Sequence, residues 1–84
     1  MDWYEEIENV SNKQQFLEFI NSLSADYKEH RGEWENKSID LYLEGIGDWV
    51  EVMEYYFKNT GLDTPENINW NLLALMLYIG KIYE

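Results

Sequence analysis

The 84-residue chain has no cysteine. That excludes disulfides, cysteine-based zinc sites and a thiol nucleophile. The fold must therefore rest on packing, in keeping with a reducing compartment. Histidine occurs once, at His30. Without a second histidine or a cysteine, a transition metal would have to rely on neighbouring carboxylates. His30 with Glu29 and Glu33 is a common surface grouping, so no metal site is expected. Long apolar runs are also missing. The longest, Leu72 to Ile79, covers 8 residues, whereas a membrane-spanning helix needs about 20. The N-terminus (Met1-Asp2-Trp3-Tyr4-Glu5-Glu6) lacks the basic start and apolar stretch of a signal peptide.

Basic residues are scarce: 6 Lys and Arg face 17 Asp and Glu, a net charge of −11. Such a balance favours solubility at the cost of self-repulsion. It argues against direct contact with nucleic acid or with anionic membrane surfaces, both polyanions. A cytoplasmic, bacterial-type protein is the expectation. Catalytic motifs are absent too: there is no Gly-x-Ser-x-Gly and no phosphate-binding glycine loop. Paired carboxylates become acid/base catalysts only in a desolvated pocket that shifts their pKa values, and a small helical domain rarely has room for one. The chain is read as a non-enzyme with no cofactor. Its carboxylates do not follow the Asp-x-Asp-x-Asp-Gly loop of a calcium-binding hand either.

What the chain does contain is aromatic residues: 4 Trp, 7 Tyr and 3 Phe. Disordered acidic chains lack these, so residues 1–84 are read as one folded domain. A helix capped by Asp2, with Glu5 answering it, and a short strand both fit residues 2–10. Ser11 and Gln14 form a capping box for a helix over about 12–29, whose Phe16, Phe19, Ile20, Leu23 and Tyr27 recur at helical spacing. The polar segment 28–37 reads as a loop around Gly32 and Trp34. A second long helix is expected from about 38 to 59, capped by Asn36 or Ser38, with Ile39, Tyr42, Leu43, Ile46, Trp49, Val50, Met53 and Phe57 on its apolar side. Gly45 and Gly47 weaken that helix, and a close crossing or a bend would explain them. Gly61 suits its C-cap. Thr64-Pro65-Glu66 resembles a helix start, and Asn69 can cap the last helix, which runs to about Tyr83 and is apolar nearly all round. The expected fold is all-α, three or four helices, with Phe16, Phe19, Ile20, Leu23, Leu43, Ile46, Trp49, Val50, Met53, Trp70, Leu73 and Leu77 forming most of the core.

A Phe-Leu-x-Phe-Ile helix, then Trp34-Glu35-Asn36, a segment with Trp49, Tyr55-Tyr56, Trp70 opening a helix, and a closing Tyr83-Glu84 follow in order. In this order the chain resembles a family of small acidic bacterial proteins catalogued as a domain of unknown function. The resemblance covers essentially the whole chain. It implies a compact, helix-rich single domain and assigns no activity. Ile79-Gly80 departs from it, because small residues such as Ala-Ala are expected before the final Tyr-Glu pair.

Asp40, Glu44, Asp48 and Glu51 recur at spacings of 4, 4 and 3 and share a helical face. No Lys or Arg lies between Lys37 and Lys58. Tyr55, four residues after Glu51 and seven after Asp48, falls within this acidic face. The face can be a solvated surface, or it can cover a basic surface on a protein partner, as an immunity protein, an antitoxin or a DNA-mimic inhibitor would. The alternative is a structural homodimer formed through the apolar C-terminal helix. Trp34-Glu35-Asn36 is read as a core plug followed by a helix cap, and its competing reading is a binding loop with His30 and Arg31.

Overall fold

Three of the five described helices begin where a short polar side chain satisfies free backbone N–H groups. In the computed structural model, which describes residues 2–83, the Asp2 carboxylate accepts from the N–H groups of Tyr4 (3.0 Å) and Glu5 (3.3 Å) and opens α1, Trp3–Glu8. The N-terminal segment is thus helical. Asn12 accepts from the N–H of Gln15 (2.8 Å) and opens α2, Lys13–Glu29. The Gln15 side chain reaches back to accept from the N–H (2.9 Å) and hydroxyl (2.8 Å) of Ser11. The cap is thus Asn12 with Gln15, one residue later than the expected Ser11–Gln14 box. A 3₁₀ turn, Arg31–Glu33, leads to α3, Ile39–Glu51, then α4, Met53–Thr60, and α5, Trp70–Ile82. Gly61 ends α4 in the left-handed region, φ 76°, and lets the N–H of Leu62 return to the carbonyl of Phe57. Asn69 caps α5 through the N–H of Leu72 (2.8 Å). Thr64-Pro65-Glu66 starts no helix.

The described residues form five α-helices and no strand, one more helix than the upper expectation. The extra one arises because the helix expected over 38–59 breaks at Val52, whose N–H turns back to Trp49 (3.0 Å). Neither Pro nor Gly stands there. An aromatic cluster spans the break: Trp49 packs edge-on against Tyr56 (5.5 Å) and Phe57 (6.4 Å), with Phe57 buried. No helix among the described residues is long and apolar enough to cross a membrane.

Helix α5 is the axis of the fold and touches α1, α2 and α3. Its apolar residues on several sides are covered within the chain, with Leu75 and Ile79 each 4% exposed. Leu75 and Ile79, two of the apolar positions behind the homodimer alternative, are therefore interior, while Leu73, Met76 and Leu77 are half-buried. The remaining core is Ile7, Val10, Phe19, Leu23, Trp34, Trp49, Phe57, Leu72, Ala74 and Tyr78. Ile20, Leu43 and Trp70, expected inside, are exposed. Helices α2 and α3 each pack on only one side, so the margins of their apolar stripes stay in solvent.

Where α3 crosses α5, two glycines permit contact. A Cβ on Gly45 would stand 2.7 Å from Asn36 Nδ2 and 2.8 Å from the Tyr83 carbonyl oxygen. A Cβ on Gly80 would stand 2.6 Å from the Tyr42 ring. This crossing accounts for Gly45 and for Gly80, the departure noted in the Ile79-Gly80 pair. Asn36, expected as a possible cap, instead lies buried and donates to the carbonyls of Gly80 (2.8 Å) and Tyr83 (2.6 Å), tying the loop to the end of α5. The final Tyr-Glu pair is only half described, since Glu84 lies outside the described residues.

Candidate functional site

Helix α3 presents one face to α5 through Tyr42, Gly45 and Ile46, with Trp49 buried on that side, and the opposite face to solvent. Asp40, Glu44, Asp48 and Glu51 are all exposed on that outward side. With about 100° between successive residues, they fall within about 80° of arc. Among the described residues none of the four is in an ion pair. Asp40 accepts from the Ser38 hydroxyl and from the Leu41 N–H, and these bonds hold its pKa below 3.8. Asp40 therefore remains anionic at neutral pH.

Tyr55 is 65% exposed, as expected of a surface tyrosine. The break at Val52 nevertheless interrupts the register that linked it to Glu51, and it belongs to α4. No hydrogen bond among the described residues connects it to the four carboxylates. The structure thus brings Asp40, Glu44, Asp48 and Glu51 together on one helix and leaves Tyr55 on the next.

The same face carries aliphatic residues that belong in no core. Ile39 is 72% and Leu43 58% exposed. Beside Ile39, the rings of Tyr27, Trp34 and Tyr42 line a shallow groove of about 300 Å³. Tyr27 and Trp34 meet edge-to-face at 4.9 Å, and the Tyr27 hydroxyl donates to the Lys37 carbonyl (2.6 Å). Tyr42 donates to the Leu77 carbonyl (2.7 Å), and burial raises its pKa to about 12. The groove walls are therefore fixed by packing and hydrogen bonds. Amphipathic spacing alone assigned Leu43 to the core; only the one-sided packing of α3 shows it outside.

A second cleft lies on the far side of Trp34. Lys81, buried although charged, donates to Asp26 at 2.9 Å and lies over the Trp3 and Trp34 rings at 5.2 and 5.8 Å. Trp34 Nε1 also donates to Asp26 (2.8 Å), and His30 Nδ1 lies 3.4 Å from it. Potential ligand atoms of Asp26, His30 and Glu33 come within 4.8 Å of one another. Asp26 already neutralises Lys81, and a dication there would meet that ammonium directly. The cluster is read as an internal ion pair that pins α2 to α5. Trp34 plugs the core, as expected, whereas Asn36 does not cap the helix that follows.

A family model described as a family of unknown function (DUF7660) matches residues 12–84. The chain belongs to this family. The match takes in α2 to α5, with Trp34, Asn36 and the α3–α5 crossing, while α1 precedes it. The resemblance to a domain of unknown function holds over that span. No curated protein and no solved structure matches the chain.

Proposed function

We propose that this is a non-enzymatic cytoplasmic binding protein that covers a basic surface on a protein partner with the outward face of α3. The observation that supports it most is the arc of four exposed carboxylates on one helix, without an ion pair among the described residues. Potentials of opposite sign steer encounter and set specificity more than they set affinity. The sharpest form of the proposal is an immunity protein or antitoxin that occludes the cationic nucleic-acid site of a toxin; a DNA mimic acting on a defence protein is a variant of the same chemistry. Tyr55 would join the interface only at its edge.

Affinity capture from the native host at low salt, followed by a salt gradient and mass spectrometry, tests the reading. One basic protein eluting between about 0.1 and 0.5 M salt, where exposed charges are screened, supports it. The double reversal Glu44→Lys, Asp48→Lys should abolish that capture with the circular dichroism spectrum unchanged. Capture that survives the reversal overturns the proposal.

A further inference from the structure

Charge alone leaves two features of α3 unused. The first is the exposed aliphatic row. Counting round the helix from Asp40, the carboxylates occupy about 80° to one side, while the exposed Ile39 and Leu43 lie about 60–100° to the other. The second is Gly47, which falls between the two arcs. A Cβ there would meet nothing within 4 Å. Gly45 is required by its crossing with Asn36 and the Tyr83 carbonyl. Gly47 answers to no such contact, yet it weakens the helix relative to alanine. A glycine flanked by an apolar row and a charged row is what a second helix needs to approach closely.

Resting on the binding role above, we infer that the element received by α3 is an amphipathic basic helix of the partner, whose backbone crosses at Gly47. Its aliphatic side chains lie on Ile39 and Leu43, with one anchor in the groove of Tyr27, Trp34 and Tyr42. Its Lys and Arg residues lie over Glu44, Asp48 and Glu51. A purely polar cation would leave Ile39 and Leu43 in water. A second copy of this chain would set one acidic arc against another, which charge opposes.

Two probes separate this inference from the reading beneath it: a synthetic helix of leucine and lysine with the leucines on one side, and an oligolysine of equal charge. Binding is followed by tryptophan fluorescence and by amide shifts of α3. The helix should bind about tenfold tighter or better, from the aliphatic surface it covers. Gly47→Leu, which enters open space, and Ile39→Ser/Leu43→Ser, both at exposed positions, should each erase that preference without lowering oligolysine binding. Equal binding of both probes, unchanged by these variants but lost in Glu44→Lys/Asp48→Lys, overturns the helix inference and leaves the acidic site standing. Binding indifferent to the charge reversal overturns both.

Discussion

Asp26 is pulled in two directions. Burial raises its pKa; hydrogen bonds from Lys81 and Trp34, and then the charges of Lys81 and His30, lower it and prevail, so it sits below 3.8. A carboxyl with a depressed folded-state pKa adds stability that is fully present above its unfolded pKa and is lost as pH falls through the folded one. Asp26→Asn should therefore cost about 3 kcal/mol at neutral pH, because it strands the Lys81 ammonium in the core. The gap between wild type and variant should shrink as pH falls below 3.8, which urea titrations at several pH values would measure; a gap independent of pH would refute the ion-pair account. The two glycines of α3 should behave oppositely. Gly45→Ala drives a methyl into Asn36 and the Tyr83 carbonyl and should lose about 1–3 kcal/mol. Gly47→Ala enters open space and should gain about 0.5–1 kcal/mol. Paired thermal melts decide, and like signs would contradict the crossing geometry. Sequence spacing marked both glycines as costly but could not tell them apart, because the difference lies in residues far along the chain.

At the scale of the element, the helix starts were legible in large part. Asp2, Asn69 and Gly61 do at their positions what short polar side chains and glycine do at helix ends. Asn36 was not legible. Its side chain could cap a helix locally, and the fold spends it on α5 instead. Asn36→Ala should leave the Tyr83 carbonyl without that donor and cost about 1–3 kcal/mol. Amide exchange should accelerate first at the C-terminal turn of α5; uniform acceleration across all helices would show that Asn36 acts on the fold as a whole. The break at Val52 was equally hidden, since no Pro or Gly marks it. That break is also why four site residues stayed together while Tyr55 moved to another helix.

For the whole molecule, charge acts on stability and on binding with opposite sign. At a net charge of −11, self-repulsion opposes the compact state. Added salt up to about 0.5 M, with a Debye length of a few ångströms, should raise the melting temperature. The same salt should release a basic partner. Glu44→Lys/Asp48→Lys should melt no lower than wild type at low salt, and its melting should depend less on salt. Calorimetry across a salt series checks this, and a lower melting temperature for the reversal would mean that the arc has a structural role.

The family assignment, the all-α class and the acidic arc of α3 follow from local information: apolar residues at helical period, caps at helix starts, and carboxylates spaced by three and four. These depend on neighbours within a turn or two. What the tertiary structure decided are relations between distant residues. It placed α5 inside rather than at a surface, put Lys81 on Asp26, made Gly45 necessary and Gly47 not, and left Ile39 and Leu43 in solvent. A helical period says which residues share a face; only the number of helices packed around that face decides how much of it is covered.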